Sequence, residues 1–300
     1  MPVYPISFSI PPEKIIDYVP TKTRITASII PGDLSTYIYK TEESYYQGYR
    51  DSFFGVTMQK AGWDCMRHYE ILANGCIPLF INFENLPENT MTFFPKDIIT
   101  KTNGIYMEIM NKKVMESKDI EICNKYIEEL LEYTRDNLTT TNMAKYIMKT
   151  IGFENAKRIL FLSGNTEPDY LRCLTLSGFK NVFGTECHDY PKVPHLYTES
   201  CEGMWGRGIT YTNIVNANNR NDEYDNTVVD DIMNHRYDII IYGSYHRGIP
   251  FIDMVSLVYK PNEIVFLCGE DCDRETNHTK HECELKQNVL LGYNVFIREQ

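Results

Sequence analysis

The chain has 300 residues, 43% hydrophobic and 24% charged, the proportions of a soluble globular protein with one large or two ordinary domains. A formal net charge of −11 excludes a generally basic surface and so disfavours non-specific binding to nucleic acid or to an anionic membrane. No run approaches the roughly 20 apolar residues of a membrane span, Met1 to Pro12 does not read as a secretory signal, and nine scattered cysteines fit reduced thiols in a cytoplasmic setting, where the sequons at Asn137 and Asn277 would stay unmodified.

Residues 1–22 carry several prolines and read as an irregular lead-in. Arg24 to Ile30 is β-branched and predicts a strand, closed by Pro31-Gly32-Asp33. Thr41 to Asp51 predicts a helix with Tyr45, Tyr46 and Tyr49 on one side, and Ser52 to Thr57 a short strand. The most informative stretch follows, from Gly62 to Phe80. Asp64 is placed to cap a helix, Cys65, Met66, Tyr69, Leu72 and Ala73 recur at helical spacing, and Asn74-Gly75 supplies a positive-φ stop before the apolar strand Cys76 to Ile81. On the helix's other face Trp63, Arg67, Glu70 and Asn74 align. An Arg and a Glu one turn apart, beside a glycine loop at a helix start, suit a nucleotide grip: Arg67 and the helix N-terminus for phosphate, Glu70 for ribose hydroxyls. Asn82 to Asn89 reads as a loop, Pro95-Lys96-Asp97 can open a helix, and about Gly104 to Met148 is charged and periodic, read as two or three helices with breaks near Ser117 and Asn137 and a cap at Thr141.

After a linker at 152–156 the rhythm changes. Strands are expected at Arg158–Leu162, Asn181–Gly184, Ile209–Val215, Asp238–Tyr242, Glu263–Cys268 and Tyr293–Ile297, with helices at Pro168–Leu176, Thr227–Asn234 and Phe251–Val258. Alternation of this kind implies a parallel sheet of β-α-β units, with ligands held by the loops after the strand C-termini. The fold class is therefore α/β, divided into a domain at 1–152 with a helical extension and a Rossmann-like domain at 153–300.

The series Arg67, Glu70, Gly75, Cys76, Ile77, Pro78 matches position by position the R-x-x-E-x-x-x-x-G-C-I-P pattern of the exostosin-like glycosyltransferases. With Gly62 to Glu70 included, the stretch 45–97 resembles the sugar-transferring enzymes of large DNA viruses of algae and protists. Tyr237 to Asp271 resembles them more weakly. The resemblance implies a GT-B-like fold, two Rossmann-like domains facing across a cleft. It also implies transfer of a sugar, with a UDP-linked donor as the expectation, to a glycan or glycoprotein hydroxyl in the host cytoplasm. In most such enzymes the donor half comes second in the chain; here the motif lies in the first half, so the halves are read as swapped. A non-catalytic glycan-binding relative is the alternative within the resemblance.

Such a reaction needs a ribose and diphosphate clamp, a charge for the leaving diphosphate and, for an inverting enzyme, a base on the acceptor hydroxyl. Donor binding is assigned to Lys60, Gly62, Trp63, Arg67 and Glu70, with the loop Gly243, Ser244, Tyr245, Arg247 facing the diphosphate across the cleft. Asp271 and Glu270 are the first base candidates, ahead of Glu186, Asp189, Glu167 and Asp169, and His246 can act on the leaving group. No tightly bound cofactor is expected, and no metal. Asp271-Cys272-Asp273 has the spacing of a metal motif but an ambiguous setting, and Cys268, Cys272, His278, His281 and Cys283 match no zinc spacing. Glu186 follows Gly164 at about the distance of a ribose reader in dinucleotide and methyl-donor folds. Ser163-Gly164-Asn165 lacks the G-x-G-x-x-G fingerprint, which keeps an S-adenosylmethionine-dependent methyltransferase second.

Overall fold

A computed structural model describes residues 3–198, 203–272 and 280–300; Asp273, Asn277 and His278 lie outside them. Nine strands form among the described residues: β1 Tyr4–Pro5, β2 Arg24–Thr26, β3 Ser52–Thr57, β4 Ile77–Phe80, β5 Ile159–Leu162, β6 Cys187–Tyr190, β7 Ile239–Tyr242, β8 Ile264–Cys268 and β9 Asn294–Ile297. The helices are α1 Glu42–Arg50, α2 Met66–Ala73, α3 Lys96–Lys112, α4 Ser117–Asn137, α5 Thr140–Ile151, α6 Tyr170–Phe183, α7 Val228–Met233, α8 Ile252–Val258 and α9 Glu282–Leu290.

The strands build two parallel sheets, a six-stranded one in the order β1-β9-β8-β7-β5-β6 and a three-stranded one in the order β2-β3-β4. The architecture is α/β and Rossmann-like. Strands β4, β5, β7, β8 and β9 are buried along their whole length, as parallel strands covered on both faces must be. Alternation along them splits the core. Phe161 and Ile241 face a layer that continues through Ile147 and Ile127 to Leu72 and Phe54 of the small sheet. Leu160, Ile240 and Phe266 face a second layer beneath Val228, Val255 and Leu285. The first layer crosses residue 152. The chain start also crosses over: Tyr4 pairs with Phe296, and Ile10 exchanges backbone hydrogen bonds with Leu138 and Thr140.

Several expectations are corrected. Asn181–Gly184 is not a strand, because α6 runs on to Phe183; the strand is β6, six residues later. Ile209–Val215 forms turns rather than a strand, α9 was not foreseen, and Thr139 rather than Thr141 caps α5 by accepting from Asn142 N. Among the described residues no helix is long and apolar enough to cross a membrane.

Candidate functional site

Within the large sheet the order β6-β5-β7-β8-β9 reverses direction between β5 and β7, and the crevice beyond those strand ends is where ligands bind in open α/β sheets. Two turns meet there. Gly164 lies so close to the 243–248 turn that an added Cβ would sit 2.1 Å from the Arg247 carbonyl oxygen. Asp169 ties the turn down. Its Oδ1 caps α6 through Arg172 N (3.0 Å), and its Oδ2 accepts from the Ser244 hydroxyl (2.7 Å). The same oxygen lies 3.4 Å from His246 Nε2 and 3.5 Å from Arg247 Nε. Burial alone would raise the Asp169 carboxyl, but His246 and Arg172 outweigh it and hold it well below the usual carboxylate range. Asp169 is thus a fixed anion and a poor base. Arg247 also donates to Glu167 (2.9 Å), so the turn's guanidinium is already opposed by carboxylates. Among the described residues the buried His246 Nδ1 has no hydrogen-bond partner.

Helix α2 forms the facing wall. Asp64 does not cap it. Cys65 holds the cap position without a side-chain hydrogen bond, and its carbonyl accepts from His68 N (3.1 Å). Asp64 instead turns inward, accepting from Phe8 N (2.7 Å) and the Tyr69 hydroxyl (2.8 Å). Burial pushes its carboxyl up to about 6, against the pull of Arg298 and those two hydrogen bonds. Arg67 and Glu70 do share the cleft face. Arg67 Nη2 donates to the Tyr37 hydroxyl (3.3 Å), while its buried Nε has no hydrogen-bond partner among the described residues. Glu70 is 6% exposed, with Oε2 2.6 Å from the Tyr45 hydroxyl and Oε1 2.5 Å from that of Thr210. Burial raises its carboxyl, partly offset by Thr210, Tyr45 and Arg67.

Thr210 belongs to a segment, 203–212, that closes one side of the cleft. Its φ of 75° is rare for a β-branched residue and stores about 1–3 kcal/mol. The strain is held by contacts to the first half: Thr210 N donates to Glu42 (2.8 Å), and Arg207 Nη1 donates to the Tyr39 carbonyl (3.0 Å). The floor is ionic. Arg298, 1% exposed, donates to the backbone carbonyls of Asp64 and Gly269 and pairs with Glu299 and Asp271. Gly62 rests on this group: a Cβ there would lie 2.2 Å from Glu299 Oε1 and 2.6 Å from Asp271 Oδ1.

These walls enclose a cavity of about 680 Å³. Of the residues singled out from the sequence, Lys60, Gly62, Arg67 and Glu70 line it from one side, and His246, Arg247, Glu270 and Asp271 from the other. Trp63 does not. It precedes α2, is 9% exposed and stacks on Phe80, so its size is spent on the core rather than on a base. Gly243, Ser244 and Tyr245 also lie off the wall. Gly243 abuts the Phe161 ring, Ser244 is used by Asp169, and Tyr245 packs on Phe266 and accepts from Asn288. Asp271 is engaged by Arg298, and Glu270 by His281 Nδ1 at 2.6 Å. Asp189 pairs with Lys180 (2.8 Å) and Glu186 lies near Arg158 (3.6 Å), both away from the cavity. Sequence reasoning gave no site role to Tyr37, Tyr39, Tyr45, Trp205, Arg207 and Arg298, which also line it. Their residue types, aromatic or Arg, are too frequent in this chain to single them out. Among the described residues no group of three or more His, Cys, Asp or Glu is gathered as a metal site. Compared with known family models, curated proteins and solved structures, the chain matches none.

Proposed function

We propose that the chain is a glycosyltransferase that holds a nucleoside diphosphate sugar, UDP-linked in the first instance, in the cleft between its two sheets. The small sheet with α2 then serves as the donor side and the large sheet as the acceptor side, a GT-B-like arrangement with the halves swapped. The observation that carries this reading is the placement of Arg67 and Glu70 one turn apart on α2, both on the cavity wall and opposite the switch-point turns. Arg67, the N-terminus of α2 and Lys60 offer positive charge to a diphosphate. Glu70 takes the ribose hydroxyls.

In the transfer, the acceptor hydroxyl loses its proton, its oxygen bonds to the anomeric carbon, and the bond to the diphosphate breaks with the electron pair leaving on phosphate. Arg67 stabilises that charge. Glu270 and Asp271 are tied to His281 and Arg298, which leaves His246, held beside Asp169, as the group best placed to move a proton. The reading is tested by incubating the protein with UDP- and GDP-sugars and a mixture of oligosaccharide acceptors, and measuring free nucleoside diphosphate by chromatography. Acceptor-dependent release that disappears in Arg67→Ala supports it; no release from any donor, or release indifferent to Arg67, rejects it.

A further inference from the structure

Four oxygen–oxygen contacts run in series through the cleft wall. Tyr45 Oη lies 2.6 Å from Glu70 Oε2, Glu70 Oε1 2.5 Å from Thr210 Oγ1, Thr210 Oγ1 2.6 Å from Tyr46 Oη, and Tyr46 Oη 2.9 Å from Glu42 Oε1. Each contact at such a distance needs one proton between its oxygens. The three hydroxyls supply three protons. The Tyr49 hydroxyl, 3.3 Å from Tyr45 Oη, brings a proton only for its own contact. The fourth proton therefore sits on a carboxyl, Glu70 or Glu42. Glu42 is fully served as an anion, by the Lys14 ammonium at 2.6 Å and by Thr210 N. Glu70 has no cation within ion-pair distance among the described residues. The groups facing it are Tyr45, Tyr46, Tyr49 and Glu42 from α1, Arg67 from its own helix, Thr210, and Tyr170 of α6. Of these Thr210, Tyr45 and Arg67 favour a negative charge, and burial opposes them more strongly.

We propose that Glu70 is a neutral carboxyl whose proton fastens the strained 203–212 segment to α1 and α2, and that a ligand presenting a pair of neighbouring hydroxyls replaces Thr210 and Tyr45 on Glu70 and releases that proton. With the proton in place, Glu70 Oε1 donates to Thr210, Thr210 to Tyr46 and Tyr46 to Glu42, so every contact is filled. On binding, two ligand hydroxyls donate to the carboxylate, the proton passes to solvent, and the strain at Thr210 favours movement of the segment. The ligand half of this inference rests on the nucleotide-sugar reading; the protonation half does not.

The test has two arms on the full chain. Carbon NMR of protein labelled at the glutamate carboxyls identifies Glu70 by the signal missing from Glu70→Gln, a variant that keeps an N–H donor toward Thr210. That signal is expected at its protonated position at pH 7; titration in the ordinary carboxylate range overturns the proposal. Calorimetry then uses UDP-glucose, whose diphosphate has no titrating group near neutrality, in phosphate and in Tris at pH 7. Close to one proton released per ligand is expected, and none in Glu70→Gln. Binding with no buffer dependence overturns the displacement step. Failure of UDP-glucose and GDP-mannose to bind rejects the nucleotide-sugar reading and the displacement with it, while the carbon signal still decides the protonation.

Discussion

The Thr210 hydroxyl lies 2.5 Å from the Glu70 carboxyl, across 140 positions of sequence, and this contact joins the 203–212 segment to α2. Thr210→Ala removes a hydroxyl that also meets Tyr46 and leaves buried partners unsatisfied, a loss of about 1–3 kcal/mol. Thr210→Ser keeps the contacts and should cost less than about 1 kcal/mol. Denaturant melts of the two variants check the ordering, and tryptic cleavage at Arg207 should accelerate in the alanine variant alone.

On the proposed reading Arg67 is a binding residue that the fold does not need. Among the described residues its Nε has no hydrogen-bond partner, and its side-chain hydrogen bond to Tyr37 is long at 3.3 Å. Arg67→Met should therefore leave Tm unchanged or raise it, as residues kept for function often allow. The same change should weaken nucleoside diphosphate binding at least tenfold, about 1.4 kcal/mol. A clear fall in Tm would assign Arg67 to the fold instead.

Gly62 has no room for a side chain. Gly62→Ala places a methyl 2.2 Å from Glu299 Oε1, against an ionic floor rather than a pliable surface, and should cost about 1–3 kcal/mol. Because Asp271 Oδ1 is the next nearest atom, the variant should also weaken ligand binding, measurable by calorimetry at a temperature where it remains folded.

The pH dependence of stability has two opposing sources on either side of α2's first turn. His68 is buried, with Nε2 donating to the Trp63 carbonyl (2.7 Å) and Nδ1 2.8 Å from Thr57 Oγ1; burial holds it neutral, down to about 3. Below its ordinary value of 6.5 the unfolded chain gains a proton that folded His68 refuses, so stability falls by about 1.4 kcal/mol per unit as pH drops from 6.5 toward about 3. Asp64 works the other way. With its folded value raised to about 6 from 3.8, its contribution is full below 3.8 and is lost as pH rises through about 6. Melts between pH 4 and 7 should show a flatter acid limb for His68→Gln and a steeper one for Asp64→Asn than for the parent chain.

Much of the fold was legible because its strands are short apolar runs with turn residues at their ends. β3, β4, β5, β7, β8 and β9 all fall within expected ranges. β6 was not legible. Its sequence, Cys187-His188-Asp189-Tyr190, reads as a polar loop, and its polar groups are satisfied by partners outside the strand: Tyr237 and Asp225 for His188, Lys180 and Tyr197 for Asp189. Helical periodicity placed Arg67 and Glu70 on one face, but it also put Trp63 and Asp64 in roles that tertiary packing took for the core and the ionic floor. The segment around Thr210 was read as a strand; its position over the cleft follows from contacts to Glu42, Tyr46 and Glu70 that no local pattern encodes.

The most direct measurement is calorimetric titration of the pure protein with UDP, GDP and S-adenosylmethionine, repeated for Glu70→Ala. Saturable one-site binding of a nucleoside diphosphate, weakened at least tenfold in the variant, is the predicted result. Binding of S-adenosylmethionine alone, or diphosphate binding indifferent to Glu70, would contradict the assignment of the α2 wall as the donor site.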